Sequence, residues 1–141
     1  MYGLRPRALD ELGLVDAVRQ RIAPLRAADG RPLTVTIDAP QRLPPLPAAV
    51  EVAAYRVAVE AVTNIARHSD GTTAALTLDL AAPELLRVTV ADSGQCTERW
   101  TPGVGIQSMY ERVEEIGGTL TIHTTPQGAT ITADLPLVIP A

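Results

Sequence analysis

Lysine is absent from this chain, because all 12 basic residues are arginines. The absence excludes Schiff-base chemistry, which needs a lysine amine, and the Walker-A phosphate loop, whose lysine contacts the phosphates. A single cysteine, Cys96, excludes an internal disulfide, and without a Cys or His cluster the sequence offers no zinc site. A nucleotide, if this chain binds one, must therefore be held without lysine.

Long apolar runs and an excess of positive charge are missing too. No run approaches the roughly 18 apolar residues that a membrane helix needs, and no charged-then-apolar leader opens the chain, so we expect a soluble, cytoplasmic domain. The net charge of −4 gives no basic surface for nucleic acid, which is not expected as a partner. With 141 residues, 46% of them hydrophobic and 20% charged, the composition predicts one folded domain with its own core.

Residues 47–69 predict a long helix with a core face and a polar stripe. At 3.6 residues per turn, the apolar side consists of Val50, Ala54, Val57, Ala58, Ala61 and Ile65. The adjacent narrow stripe consists of Arg56, Glu60, Asn64 and Arg67. Two interpretations stay open: a solvated helix face, or a carboxylate, an amide and a guanidinium that act on one ligand.

The N-terminal third predicts a helix and then a strand. The helix has Asp10 as its cap, ends or kinks at Pro24, and carries one apolar face made of Leu12, Val15, Val18, Ile22 and Leu25. Apolar and polar residues then alternate over residues 33–38, which predicts a half-buried strand. Four prolines between residues 40 and 47 form a stiff linker to the long helix.

Two further strands follow the long helix, and the second ends in a carboxylate. The shared faces of these strands consist of Leu76, Leu78 and Leu80, and of Leu86, Val88 and Val90. The next position on the second of these faces is Asp92. A buried carboxylate needs a partner because an unpaired charge in an apolar setting costs several kcal/mol. Asp-Ser-Gly is also a common turn sequence, so both interpretations of Asp92 remain open.

The C-terminal part predicts a loop, a helix and a hairpin. A Gly-rich turn at residues 103–105 precedes a helix whose core side consists of Ile106, Met109, Val113 and Ile116, and which Gly117-Gly118 closes. Such a turn at a helix N-terminus is either an anion site or a flexible linker. The hairpin pairs Leu120 and Ile122 with Ile131, Ala133 and Leu135.

Three motifs, in the order in which they occur along the chain, resemble those of a known family. Residues 60–69 (EAVTNIARHS), 91–94 (ADSG) and 103–118 (GVGIQSMYERVEEIGG) resemble the N, G1 and G2 boxes of the catalytic, ATP-binding domain of two-component sensor histidine kinases. That domain belongs to the GHKL superfamily, with gyrase, Hsp90 and the DNA-mismatch ATPases. Residues 4–22 (LRPRALDELGLVDAVRQRI) resemble the segment after the phosphoacceptor helices of nitrate-sensor-like and DesK-like kinases.

The resemblance implies a fold and an activity. The fold is α+β, a two-layer α/β sandwich of the Bergerat type, with a mixed, mostly antiparallel sheet covered on one face by helices. Residues 1–30 would follow the dimerisation and phosphoacceptor region, and residues 31–141 would form the ATP-binding catalytic domain. The activity is transfer of the ATP γ-phosphate, with Mg²⁺, to a His on that upstream domain, for relay to a response regulator. The full-length protein would be a homodimer, linked to the membrane.

The resemblance also implies a role for each motif residue. Asp92 would accept a hydrogen bond from the adenine amino group, Gly94 would let the base approach, and Thr130 would contribute to the adenine pocket. Asn64 would hold Mg²⁺, and Glu60 would be the catalytic base or orienting group. The remaining nucleotide contacts would come from Arg67 and His68 at the phosphates and from Gly103, Val104, Gly105 and Ile106 at the lid.

Three departures from the family pattern keep other functions open, and one of them is a short lid. Cys96 stands where the G1 box usually has a second glycine, and Gly128-Ala129-Thr130 has one hydroxyl residue where the family often has two. The alternatives are a serine kinase of the anti-sigma-factor type, which shares these boxes, and a non-catalytic nucleotide-binding or docking module.

Overall fold

Helices and strands alternate along the part of the chain that the structure describes. The computed structural model describes residues 5–27, 29–39, 43–68, 73–92, 104–125 and 128–137. The helices are α1 (Arg7–Leu12), α2 (Leu14–Ile22), α3 (Ala48–His68) and α4 (Val104–Glu115). The strands are β1 (Thr34–Asp38), β2 (Thr73–Ala82), β3 (Leu85–Asp92), β4 (Thr119–Thr125) and β5 (Gly128–Pro136).

The five strands form one mixed sheet in the order β1-β2-β3-β5-β4. β1 pairs with β2 in parallel, and the other neighbouring pairs are antiparallel. α3 lies across the middle of the sheet, where it contacts β2, β3 and β5, and it packs between α2 and α4. The mixed, mostly antiparallel sheet predicted from the sequence is confirmed.

The sheet has one buried face and one open face. Side chains alternate between the faces with a period of two, so the residues under the helices are Ala74, Leu76 and Leu78 on β2, Leu86, Val88 and Val90 on β3, and Ile131, Ala133 and Leu135 on β5. The alternate positions, such as Thr77, Thr89 and Thr132, are only half-buried. Because helices cover one face only, the predicted two-layer sandwich is confirmed.

The apolar side of α3 is the centre of the core. All six apolar residues predicted for this side are buried, with relative exposures of 0–1%: Val50, Ala54, Val57, Ala58, Ala61 and Ile65. Several of them are alanines, whose small side chains let the helix approach the sheet closely. A fully buried valine contributes about 1.5–3 kcal/mol to stability. Packing of this stripe therefore fixes the orientation of α3 and of its polar side chains.

The N-terminal helix was predicted incorrectly as one continuous helix. Gly13 has a φ of 82° and separates α1 from α2, and the cap of α1 is Pro6, while Asp10 lies inside its first turn. The break shifts the helical phase, so Leu12 is 41% exposed and Leu14 is buried instead. A positive φ is accessible to glycine because it has no Cβ. The predicted end of the helix before Pro24 is confirmed, since α2 ends at Ile22.

A Schellman motif ends α4. Gly117 has a φ of 80°, and its N–H donates to Glu114 O at 3.0 Å, while the N–H of Gly118 donates to Val113 O at 2.8 Å. A Cβ on Gly118 would lie 2.5 Å from Asp134 O and 2.9 Å from Val113 Cγ1. The two glycines therefore have separate tasks: Gly117 reverses the chain, and Gly118 lets it pass against β5.

α1 and α2 pack into the same hydrophobic core as α3. Leu9, Ala17 and Val18 are buried in that core. The division of the chain at residue 30 is a prediction about the full-length protein and stays one. No helix among the described residues is long and apolar enough to span a membrane.

Candidate functional site

Asn64 lies near the C-terminal end of α3 and is buried, with 6% of its surface exposed. Its Nδ2 atom has no hydrogen-bond partner among the described residues. An unsatisfied buried amide donor costs about 1–3 kcal/mol, so the fold retains a polar group at a position where an apolar one would be more stable. A solvated helix face does not account for a buried Asn64, whereas a ligand acceptor does.

The other members of the polar stripe lie closer to the surface. Glu60 and Arg56 are half-buried, and Arg67 is exposed. At a rise of about 1.5 Å per residue, Glu60 lies roughly 6 Å along the helix axis from Asn64, and Arg56 roughly 12 Å. The stripe therefore runs from a buried amide to partly exposed charges. A ligand that reaches from Asn64 to Glu60 would extend from the interior towards solvent.

Asp92 is the last residue of β3 and is also buried, with 6% exposure. It continues the face of Leu86, Val88 and Val90, as the alternation predicted, and it pairs in register with Ala74 of β2. Asp92 is thus a strand residue. On the β5 side, Ala91 pairs with Thr130, so Ala129 is the neighbour on the Asp92 face. The side chains that flank the carboxylate on the neighbouring strands are therefore small methyl groups.

Thr130 lies on the opposite face of the sheet from Asp92. Its register partner is Ala91, and the residue buried beside Asp92 is Ala129, which is 2% exposed. Because neighbouring residues of a strand point to opposite faces, a shift of one position moves a side chain across the sheet. The structure therefore does not bring Thr130 to the predicted adenine position.

The remaining predicted residues are described only in part. Gly94 and Gly103 lie outside the described residues. Val104 and Gly105 begin α4, and His68 ends α3, but their side chains are outside the described part of the structure. Ile106 is 5% exposed and belongs to the hydrophobic core.

A second polar feature, which the sequence did not predict, lies at the N-terminal half of α3. A cavity of about 550 Å³ opens between the N-terminal segment, α2, α3 and α4. Four guanidinium groups line it, from Arg5, Arg21, Arg56 and Arg112, and we call this set the arginine basin. Of the residues predicted for the nucleotide site, the cavity contacts Glu60 but neither Asn64 nor Asp92. The sequence placed Arg56 on the polar stripe, but the four arginines come from four separate segments, so no spacing indicated that they cluster.

Arg5 attaches the N-terminal segment to this region. Its guanidinium pairs with Glu51 in the first turn of α3 and with Asp10 of α1, the latter at 2.6 Å. The hydrogen bonds that Arg5 donates to Asp10 and Glu51 raise the pKa of Arg5 above its ordinary value. Arg5 therefore stays charged, and it connects the chain upstream of α1 to the helix that carries Glu60 and Asn64.

A helix with a buried amide and a strand that ends in a buried carboxylate lie on one side of a mixed sheet, which is the arrangement that the resemblance to the GHKL ATP-binding domain implies. The chain belongs to the family described as histidine kinase-, DNA gyrase B- and HSP90-like ATPases, whose model matches residues 49–139. This family binds ATP, and the predicted membership is confirmed.

Comparisons with individual proteins agree with the family. The chain is similar to the sensor histidine kinase MctS of Rhizobium johnstonii, at 33% identity over 96% of this chain and 30% of MctS. It is similar to the sensor histidine kinase NarS of Mycobacterium tuberculosis, at 31% identity over 96% of this chain and 32% of NarS. The chain thus spans about a third of the length of these relatives. These relatives and the family model support the resemblance of this chain to the ATP-binding catalytic domain of sensor histidine kinases.

A solved structure shows the same fold. The histidine kinase domain of the blue-light activated kinase EL346 from Erythrobacter litoralis superposes with a TM-score of 0.70, at 22% sequence identity, over 89% of this chain and 59% of that one. The Bergerat-type sandwich predicted from the sequence is therefore confirmed.

The buried polar groups fit the ligand that the family binds. A carboxylate such as Asp92 accepts hydrogen bonds, as the amino group of adenine requires. The unsatisfied Nδ2 of Asn64 is a donor for which phosphate oxygens are good acceptors. The side-chain oxygen of an asparagine is also a hard ligand of the kind that Mg²⁺ prefers.

Proposed function

We propose that this chain binds ATP with Mg²⁺ and supplies the catalytic half of a phosphoryl transfer to a histidine on an upstream dimerisation domain. The observation that carries the proposal is the pair of buried polar residues, Asn64 on α3 and Asp92 at the end of β3, each 6% exposed. A core made mostly of apolar side chains retains the unsatisfied Nδ2 of Asn64 at a cost, and a ligand that accepts a hydrogen bond from it would remove that cost.

Asp92 recognises the base in this proposal. Its carboxylate lies on the helix-covered face, and Ala74 and Ala129 on the neighbouring strands are both buried and small. Adenine would lie flat in that space and donate its amino hydrogen to the carboxylate. Burial strengthens such a hydrogen bond because little water competes for the acceptor.

Asn64 and Glu60 act on the phosphates. Bound Mg²⁺ supplies charge neutralisation for the phosphate oxygens. The oxygen of Asn64 would hold the metal, while its Nδ2 donates to a phosphate oxygen. Mg²⁺ commonly takes one or two protein oxygens and fills the remaining positions with phosphates and water, so a single asparagine is sufficient. Glu60, one turn away and half-buried, accepts or orients the proton of the attacking imidazole.

The partners of the full-length protein belong to the same proposal. We propose a homodimer whose phosphoacceptor domain precedes α1, and a response regulator that takes the phosphoryl group from it. The domain would act in the cytoplasm, with the full-length sensor linked to the membrane. The similarity to MctS and NarS, whose names describe sensor histidine kinases, supports this assignment.

Equilibrium titration tests the nucleotide proposal. We expect ATP to bind with a dissociation constant in the micromolar to millimolar range that is usual for small nucleotide sites, and Mg²⁺ to tighten the binding. GTP is the matched control, since guanine has a carbonyl where adenine has the amino group that Asp92 would bind. Absence of saturable ATP binding at several millimolar nucleotide would exclude the proposal.

A further inference from the structure

The arginine basin concentrates positive charge in a chain that is negative overall. The net charge is −4, yet four of the 12 arginines line one cavity, with a single carboxylate, Glu60, among the lining residues. Asp10 and Glu51, which pair with Arg5, offset part of this charge within the protein. The remaining positive charge of the basin attracts anions.

Unsatisfied donors in the basin point to a ligand. The Nε atom of Arg56 and the Nη1 atom of Arg5 are buried, and neither has a hydrogen-bond partner among the described residues. The Nε and Nη2 atoms of Arg5 donate to Asp10 and Glu51, so Nη1 is the guanidinium nitrogen that neither carboxylate binds. A buried N–H of a cation without an acceptor is costlier than a neutral one. Both residues line the cavity, so an anion with several acceptor oxygens bound there would lie beside these donors.

The position of the basin relative to Asn64 indicates whether it lies on the nucleotide side or on the acceptor side of the phosphoryl transfer. Along α3, Asn64, Glu60 and Arg56 follow one another at intervals of one turn, about 6 Å each. In the proposed function, Asn64 binds the phosphates, and Glu60 acts where the terminal phosphate meets the acceptor histidine. Arg56 then lies beyond Glu60, on the side of that histidine. Arg5, which leads directly to the upstream chain, lines the same cavity.

We propose that the arginine basin binds a phosphoryl group on the acceptor side of Glu60, at a site separate from the adenine position at Asp92. This inference rests on the proposed function and specifies where the transferred group is held. A phosphoryl dianion presents three acceptor oxygens, which match guanidinium N–H groups from Arg56, Arg5 and Arg21. The group has two possible sources, the terminal phosphate of the nucleotide or a phosphorylated histidine of the upstream domain. Both present the same chemistry to the basin.

Titration with small phosphoryl compounds tests this site. The chain, labelled with ¹⁵N, is titrated with phosphoramidate, a mimic of a phosphorylated nitrogen, and with inorganic phosphate, at constant ionic strength. We expect saturable shifts of the Arg56 Nε–H signal. Arg56→Gln and Arg21→Gln should each weaken phosphoramidate binding about tenfold, the effect of removing one charge-assisted hydrogen bond. Adenosine should bind both variants like the parent.

A matched control lies on the same helix as Arg21. Arg19 is exposed, pairs with Asp16 at 3.1 Å and does not line the basin. Arg19→Gln therefore removes the same charge from α2 and should leave phosphoramidate binding unchanged. Equal weakening by Arg19→Gln, or no saturable binding beyond the effect of sodium chloride, would overturn the proposal. Because Arg21 is exposed, its variant is informative even if Arg56→Gln does not fold.

Competition separates the two sources and keeps this inference distinct from the proposed function. If ATP displaces phosphoramidate and adenosine does not, the basin receives the terminal phosphate. If phosphoramidate still binds when ATP is saturating, the basin receives the phosphorylated acceptor. Normal ATP binding without a phosphoramidate site would refute the basin alone, whereas phosphoramidate binding without ATP binding would refute the proposed function alone.

Discussion

The two halves of α3 differ in the burial and charge of the polar groups beside them. Near its C-terminal end, Asn64 is buried, and the nearby strand end at Asp92 is flanked by alanines. In its N-terminal half, Arg56 lines an open cavity together with three arginines from other segments. A neutral base can be recognised by hydrogen bonds in a dry place, but a cluster of like charges is tolerable only where water or a counter-ion reaches it. The proposed base recognition and the proposed anion binding therefore lie at different positions along α3.

The separation has a simple geometric cause. α3 has 21 residues, about 32 Å at 1.5 Å per residue, and its middle passes over β2, β3 and β5. Its apolar side is buried along this length, so the core holds each end in place separately. Changes at one end should therefore leave the other end intact unless they damage the shared core, and the following substitutions test this independence.

Asn64→Ala is expected to have the largest effect. Loss of the amide should remove the Mg²⁺ enhancement of ATP binding and reduce phosphoryl transfer on the order of 10²-fold or more, as removal of a group that stabilises reaction charge does. Adenosine, which has no phosphates, should bind about as well as to the parent. Transfer is measured by adding the upstream helical region of the full-length protein and following labelled phosphate onto its histidine.

The stability of this variant is its control. Removing an unsatisfied buried amide should not destabilise the fold by more than about 1 kcal/mol. A folded Asn64→Ala protein that transfers phosphate at the parental rate would show that the stripe has no catalytic role.

Asp92→Asn is expected to be next in size. The variant keeps the volume but loses the charge that accepts the adenine hydrogen, so ATP and adenosine should bind roughly ten- to hundred-fold more weakly. Phosphoramidate binding at the basin should not change, because Asp92 does not line that cavity. Calorimetric titration of both ligands measures this contrast. Parallel loss of adenosine and phosphoramidate binding would show that the two ends are one site.

Gly118→Ala changes the contact between the end of α4 and β5, two elements that both pack against α3. Its Cβ would meet the backbone oxygen of Asp134 at 2.5 Å, so β5 or the end of α4 must shift, at a cost of about 1–3 kcal/mol in the free energy of unfolding. Denaturant unfolding measures this cost. Gly13→Ala is the reference for backbone strain alone, since Gly13 has a φ of 82° and nothing within 4 Å of the added Cβ, whereas Gly118 has no positive φ. Unfolding of Gly118→Ala at the parental midpoint would show that β5 accommodates the added Cβ without cost.

The sequence predicted the buried end of the site far better than the charged end. Periods of 3.6 and two residues are local, so they located the core side of α3 and placed Asp92 on the face of Val88 and Val90. The chemistry of the basin depends on four segments that meet only after folding. The assignment of Thr130 to the adenine position shows the limit of local patterns, because the strand register places Ala129 on the Asp92 face.

The break at Gly13 was missed for a related reason. Apolar residues continue at helical spacing across it, and a glycine inside such a pattern is often tolerated. The packing of α2 on α3 determines where the helix breaks. The positive φ of Gly13 makes this packing possible, because it lets Leu14 become buried in place of Leu12. The competing tertiary contact is not visible in the local sequence.

Asp29→Asn is expected to have the smallest effect and to leave both ends of α3 unchanged. The backbone N–H of Arg31 donates to Asp29 Oδ1 at 3.0 Å, and this hydrogen bond, with the Arg31 side chain, lowers the pKa of Asp29 below its ordinary 3.8. Because the folded pKa is lower than the unfolded one, the carboxylate stabilises the fold above about pH 4, and the contribution is lost as the pH falls through the folded value. The difference in Tm between parent and variant should thus be present at about pH 6 and vanish near pH 2. A difference that stays constant over this range would mean that Asp29 acts through the shape of its turn and not through its charge.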